Sequence, residues 1–471
     1  MLEQFGVSEL VSQMKAKKLS PVEVTDYFLK RIEDHNDKIN AFVTLNENVR
    51  EEAKKAEERL IKEENVGDFH GIPIAIKDLT LTKGIRTTFG SPAFQHYIPD
   101  RDAVIVERLK RAGAIVIGKT NTPEFGHIGT TDNLLFGATK NPWDVSKTSG
   151  GSSGGSAAAV GAGLVPIAEG NDGGGSIRIP ASFCGVYGFK PTYGAIPNTN
   201  STANAFGSTA PFANHGVLSH SPLDAALFLE NTQGPSTRDP FSLPAYNKEV
   251  SQKLKGNLKG VRIAYTENFG LYEVDKEVAH IVESTLSKWE ELGCTVEKID
   301  MDFGMNLEEF ITFFTSMWYS SAAAGSGPLL NENPEWVSDS YKAMIEEGTK
   351  LNAVQYKNLD PIRTSIWNKM QDFFGSYDLI LSPTLAVPAF DYRLLGPDKI
   401  NGKKISSVSD WLLTHLYNTT GFPAASLPIG FSASGLPIGL QIAGNRFQDE
   451  LVLRASYAYD EKYSERKRFP F

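Results

Sequence analysis

Cysteine is almost missing from this chain: Cys184 and Cys294 are the only two, and they lie far apart in sequence. Neither a disulfide framework nor a cysteine-rich zinc site can be assembled from such a pair. Long apolar runs are missing as well. No stretch of eighteen apolar residues occurs, which excludes an ordinary membrane-spanning helix. The opening MLEQFGVSELVSQMKAKK has no apolar core of the signal-peptide kind, so a cytoplasmic location is expected. Positive charge is in deficit, 47 Lys plus Arg against 56 Asp plus Glu, for a net charge of -9. That balance argues against a general nucleic-acid binder. The single basic run, Lys462 with Arg466, Lys467 and Arg468, is short and terminal and reads as a solvated tail.

What remains is an ordinary globular composition, 41% apolar and 22% charged over 471 residues. A chain of this size buries roughly three quarters of its extended surface and needs no covalent or metal staple. Length alone suggests about three domains. No tandem repeat and no separating linker is found, however, so one domain over residues 1–471 is expected. Within it, 1–65 is a helical segment packed on the core. Ser20-Pro21-Val22-Glu23 supplies an N-cap, a proline at N1 and a glutamate at N3 for a helix running to about Asp34. From His70 onward short strand-like runs (72–76, 114–117, 164–168) alternate with helical stretches such as 102–111. This alternation predicts an α/β fold with a largely buried sheet. Further strands are expected at 261–265, 294–299, 379–381, 424–429 and 436–442, and a mostly helical region rich in aromatics at 306–374.

Two motif matches mislead. Gly113 to Thr120 fits the phosphate-loop pattern letter for letter, but its interior is Ala-Ile-Val-Ile, which belongs in a strand and not in a flexible loop. Gly150-Gly151-Ser152-Ser153-Gly154 fits the nucleophile elbow of α/β-hydrolases, which requires a later acid and a later histidine. The candidates His215, His220, His280 and His415 stand in no context that marks one of them, and the elbow leaves a second serine loop unexplained.

Glycine supplies the stronger signal. Ten of the 26 residues from Gly150 to Gly175 are glycine, so backbone there has to approach a neighbour closely or adopt positive φ. Gly170-Asn171-Asp172-Gly173-Gly174-Gly175-Ser176 places three glycines before a serine, an arrangement whose N–H groups can face one point and cradle an oxyanion. Asp172 and Arg178 are candidates to pair and brace that turn. Lys77 ends the run Gly71-Ile72-Pro73-Ile74-Ala75-Ile76, and desolvation at such a place lowers a lysine pKa and yields a usable neutral amine.

Taken together these segments resemble the amidase signature family. The resemblance rests on GGSSGGS at 150–156, GNDGGGSIRIP at 170–180, the lysine segment 71–78, GKTNTPEF at 118–125, NPWD at 141–144, GFKPT at 188–192 and GLPIGLQ at 435–441, in order along nearly the whole chain. It implies one large mixed, mostly parallel twisted sheet covered by helices on both faces. A signature core over 66–230 and a helical substrate-pocket region over 300–375 follow from it. It also implies amide hydrolysis through an acyl-enzyme, with Ser176 as nucleophile, Ser152 as the bridging serine preceded by a cis peptide bond, and Lys77 as base. The N–H groups of Gly173, Gly174, Gly175 and Ser176 would form the oxyanion hole, supported by Ser153, Asp172 and Arg178. No metal and no organic cofactor is called for.

The implied substrate is a small-molecule or short-peptide amide. Asn171, Trp318 and Trp411 are the candidate pocket residues, and Tyr417 and the aromatics 310–319 would suit an apolar acyl group. The loop is more similar to stand-alone bacterial amidases, among them 6-aminohexanoate cyclic dimer hydrolase, than to the glutamine-hydrolysing A subunit of the tRNA-dependent amidotransferase. That subunit has threonines where this chain has Asn171 and Gly173. It uses an aspartate where this chain has Trp411 (beside Asp410), and the only obvious arginine here is Arg363. The A subunit is the alternative reading, and the only one under which a nucleic-acid partner is expected. An inactive scaffold is a further alternative, although Lys77, Ser152 and Ser176 are all present. No membrane partner is expected, and monomer and homodimer are both open.

Overall fold

The computed structural model describes residues 2–62, 66–198, 212–464 and 469–471; Arg466, Lys467 and Arg468 of the basic run lie outside them. Eleven strands form one sheet: β1 (Phe42–Leu45), β2 (Pro73–Lys77), β3 (Ile115–Thr120), β4 (Ile167–Asp172), β5 (Tyr187–Lys190), β6 (Asn214–Ser219), β7 (Arg262–Tyr265), β8 (Thr295–Lys298), β9 (Leu379–Pro383), β12 (Ala424–Phe431) and β13 (Pro437–Gly444). A separate two-stranded ribbon pairs β10 (Lys399–Ile400) with β11 (Lys403–Lys404). The order across the large sheet is β1-β3-β2-β4-β6-β5-β12-β13-β9-β7-β8. Helices pack on both of its faces, as the α/β reading anticipates.

The sheet is mixed, but it is not mostly parallel. Only β2·β3, β2·β4, β7·β9 and β7·β8 are parallel, four of the ten pairings. Each parallel pair has a helical crossover between its strands, as β2 and β3 have the helix Val104–Arg111. The others include a tight hairpin, β12–β13, which closes through Gly435 at φ +77° and must be antiparallel.

Local sequence explains most elements. Ser20 and Glu23 form the expected reciprocal cap, and that helix runs Pro21–Ile39, five residues beyond the expected end. It stops where Asn40 turns left-handed. The apolar interior of the phosphate-loop match is strand β3, buried throughout. Between β7 and β8 the chain forms two helices, Lys276–Glu283 and Leu286–Glu291. Two helices, Gly154–Gly161 and Arg178–Cys184, are buried on every side, which is why neither shows an amphipathic pattern. They carry the two serine loops into the middle of the molecule.

The aromatic region folds as the helices Leu307–Glu332, Asp339–Thr349, Ala353–Lys357 and Asp360–Ser376. Part of it has a small core of its own, Ala322, Val337, Tyr341, Met344 and Ile345, separate from the main one.

Candidate active site

Lys77 is the last residue of β2 and is wholly buried. Its Nζ donates to Ser152 Oγ and to Asn171 Oδ1, each at 2.7 Å. Burial pulls its pKa down to about 7, against the carboxylates of Glu169 and Asp172, which act in the opposite direction. Asn171 therefore holds the lysine, whereas sequence reasoning had offered it as a pocket residue.

The peptide bond Gly151–Ser152 is cis. Ser153 N–H donates to Ser176 O at 3.0 Å and Ser153 Oγ to Asn171 O at 3.2 Å, so the first serine loop is tied directly to the second. Ser156 is a buried hydroxyl donating to Glu169 O at 2.8 Å. The structure thus brings Lys77, Ser152 and the Ser176 loop into one place, and Ser176 itself is 8% exposed.

The nest before Ser176 is braced from beneath. Asp172 and Arg178 are both fully buried and form a two-pronged pair, Nε to Oδ2 at 3.0 Å and Nη2 to Oδ1 at 3.0 Å. Burial by itself would raise the Asp172 pKa; the Arg178 charge and its hydrogen bonds, helped by Lys190 and Asn418, hold it far below the usual carboxylate range. Arg178 also reaches Thr414 O at 3.0 Å, Gln441 Oε1 at 2.7 Å and Asn418 Oδ1 at 2.6 Å. The pair is a buried hub and not a surface bridge.

One expected oxyanion donor is otherwise engaged. Gly175 has φ +120°, which turns its N–H back onto Asp172 Oδ1 at 2.8 Å. Among the described residues, the N–H groups of Gly173, Gly174 and Ser176 meet no protein acceptor. Thr414 Oγ1 donates to Gly174 O at 2.6 Å and fixes the loop from the far side.

An aromatic wall stands against this nest. The Trp318 ring lies so close to Gly173 that a Cβ there would sit 2.5 Å from its Cη2. Phe314 stacks on His415, centroids 4.2 Å apart, and both rings lie over Gly174. Burial, with the Arg178 charge adding to it, pushes the His415 pKa down to about 3, so this ring is neutral packing. Trp411 is not part of the wall. It is fully buried between Phe183 and Phe390, with its Nε1–H satisfied by Ser407 O at 2.9 Å, and Tyr417 is likewise enclosed. Arg363 donates through Nε to Thr419 O at 2.8 Å and lies over the Phe212 ring, which stacks on Phe314.

Sequence reasoning missed Glu169 and Thr414, and weighed His215 only as a histidine for the nucleophile elbow. The expected strand 164–168 stops one residue short of Glu169, and a histidine inside a strand carries no motif. Among the described residues no cluster of His, Cys, Asp and Glu is placed to hold a metal ion, and no helix is long and apolar enough to cross a membrane.

The family model described as Amidase matches residues 23–453. An acylamidase of Rhodococcus erythropolis is 37% identical over 98% of this chain and 95% of its own length. The crystal structure of a bacterial aryl acylamidase superposes with a TM-score of 0.94 at 31% identity, over 99% of this chain and 98% of that one. A 6-aminohexanoate cyclic dimer hydrolase complexed with substrate gives 0.89 at 27%, over 100% and 99%. The glutamyl-tRNA(Gln) amidotransferase A subunit of Thermotoga maritima gives 0.80 at 29%, over 98% and 96%. These matches place the chain in the amidase signature family, as a hydrolase acting on amide bonds that is more similar to the stand-alone bacterial amidases than to the amidotransferase subunit.

Proposed function

We propose that the chain is a stand-alone amidase that cleaves carbon–nitrogen bonds through a Ser176 acyl-enzyme. The observation that carries this reading is the 2.7 Å contact between a buried, easily neutralised Lys77 amine and Ser152 Oγ, on a loop tied to Ser176. Neutral Lys77 takes the Ser152 proton, and Ser152 takes the proton of Ser176 as that oxygen attacks the amide carbonyl. The oxyanion is held by the N–H groups of Gly173, Gly174 and Ser176, where the loss of one donor costs about 3 kcal/mol. The protonated relay then returns a proton through Ser152 to the leaving nitrogen, and water releases the acid by the same route.

The substrate class follows from the wall beside the nest. Trp318 and Phe314 present ring surface next to the carbonyl position, which suits an amide with an apolar or aromatic group on one side, in keeping with the names of the acylamidase relatives. Glutamine fits less well, since Trp411, where the A subunit uses an aspartate, is packed in the core. Such a wall discriminates between apolar groups by a few kcal/mol at most, so several amides are expected to react.

The test is a mass-spectrometric product screen with Ser176→Ala protein as the blank. The panel holds glutamine, aliphatic and aromatic primary amides, aryl anilides, C-terminally amidated peptides and the 6-aminohexanoate cyclic dimer. Cleavage of anilides or other secondary amides by the wild type alone, with glutamine untouched, is the expected result. Hydrolysis of glutamine only, or near-wild-type turnover by the Ser176→Ala protein, overturns the reading.

A further inference from the structure

Glu169 lies on β4 two residues before Asn171, so both side chains leave the strand on the same face, the one that receives Lys77. It is completely buried. Its carboxylate accepts three hydrogen bonds: from Lys77 N–H to Oε2 at 3.0 Å, and from Thr80 Oγ1 at 3.0 Å and His215 Nδ1 at 2.8 Å, both to Oε1. Lys77 and Thr80 bracket the end of β2 and the turn beyond it. One carboxylate therefore clamps the backbone from which the lysine side chain departs.

A buried carboxylate is expensive unless it is satisfied, and this one is satisfied without touching the lysine ammonium, whose own bonds go to Ser152 and Asn171. His215 lies across from Asn171 on β6. Its Nδ1–H donates to the Glu169 carboxylate, and its buried Nε2 meets no partner among the described residues.

We infer that Glu169 is a positioning residue for the lysine base: it fixes the end of β2 and supplies the negative charge that sets the pH range over which Lys77 acts. The inference rests on the reading of Ser176, Ser152 and Lys77 given above. The charged and titratable groups facing this region are Glu169 and Asp172 from β4, Lys119 from β3, Asp78 after β2, His215 from β6 and Arg178 beyond the nest. Asp172 is already matched by Arg178, and Asp78 bonds Thr88 N–H and Oγ1–H. Lys119 donates to Thr80 O and Thr82 Oγ1. Glu169 accepts from a backbone N–H, a threonine hydroxyl and the His215 ring, and it is the foremost influence opposing burial at Lys77.

The test reads Ser176 without turnover, as the rate of its covalent labelling by a fluorophosphonate between pH 5 and 9. The proteins are the wild type, Glu169→Gln and Glu169→Asp, with Ser176→Ala as blank. Loss of a neighbouring anion disfavours the ammonium, so Glu169→Gln is expected to move the midpoint of the labelling curve to lower pH by about one unit and to lower its plateau. Glu169→Asp keeps the charge on a shorter arm, so its midpoint stays while its plateau falls. A Gln variant that melts earlier with an unmoved midpoint overturns the inference, as does an equal shift in both variants. Should the Gln variant fail to fold, the Asp variant decides: a moved midpoint with an unchanged plateau overturns it. An unlabelled wild type overturns the Ser176 assignment itself, a separate and visible failure.

Discussion

Lys77 ends β2 with its amine enclosed and its hydrogen bonds directed to a hydroxyl and an amide oxygen. With a pKa drawn down to about 7, it is protonated at acid pH and a free base above neutrality. The expected kcat/KM therefore rises as pH passes through about 7 and levels off above it. Measurement across pH 5 to 9 checks this, and a flat profile excludes Lys77 as the base. At this scale the sequence showed Lys77 as a strand-end lysine and Ser176 behind three glycines, but only family resemblance separated Ser152 from Ser153. The destiny of the Gly175 N–H was not legible, because it depends on a carboxylate three residues back and on positive φ. Nor was the burial of Trp411, since a tryptophan beside a loop reads the same whether it faces substrate or Phe183.

The helix Leu307–Glu332 shows why aromatic content alone could not define a pocket. Phe310, Phe313 and Phe314 all belong to the main core, and of the helix's aromatics Phe314 and Trp318 also reach Gly174 and Gly173. The contact at Gly173 yields an element-scale prediction. In Gly173→Ala the new Cβ would stand 2.5 Å from Trp318 Cη2, so the ring and its helix must shift. The variant is expected to fold normally but to lose about tenfold in kcat/KM, about 1.4 kcal/mol in barrier height. Trp318→Leu in the same chain removes the clash and should restore most of that loss, which a double-mutant cycle measures. Additive losses would show that helix and loop are not coupled there. Strand positions were readable from apolar runs. Their neighbours in the sheet were not, because β12 pairs with β5 across more than two hundred residues that say nothing about each other.

Over the whole molecule the small core around Tyr341 and Met344 is joined to the body by the helix Leu307–Glu332, whose Trp318 packs against both cores, and by the turn that holds Glu124. Glu124, buried in that turn, accepts Ser91 Oγ–H at 2.8 Å, and on its other oxygen Ser338 N–H at 2.8 Å and Oγ–H at 2.6 Å. His127 adds a bond to Ser340 at 2.8 Å, and Phe125 packs on Tyr341. A Cβ on the next residue, Gly126, would stand 3.2 Å from Ser152 Oγ, so the turn runs close to that hydroxyl. Glu124→Ala is expected to weaken this docking by about 1–3 kcal/mol, the usual cost of stranding buried donors. Amide-exchange protection should fall in Asp339–Thr349 and stay unchanged in the sheet; a uniform loss everywhere would show that the helices are not a separable unit. The sequence marked 306–374 as mostly helical, yet 118–125 entered only as a segment of the family resemblance, with nothing to show that it anchors these helices.

The hub under the nest has a consequence for how the protein comes into being. Lys77, Ser152 and Ser176 all belong to the first half of the chain, but Thr414, Asn418 and Gln441, which hold Gly174, Asp172 and Arg178 in place, belong to its end. During synthesis the reactive groups leave the ribosome long before their supports do. On the proposed reading hydrolytic competence is therefore expected only once these supports are made: a product cut before Thr414 keeps the signature core 66–230 and lacks the groups that brace it.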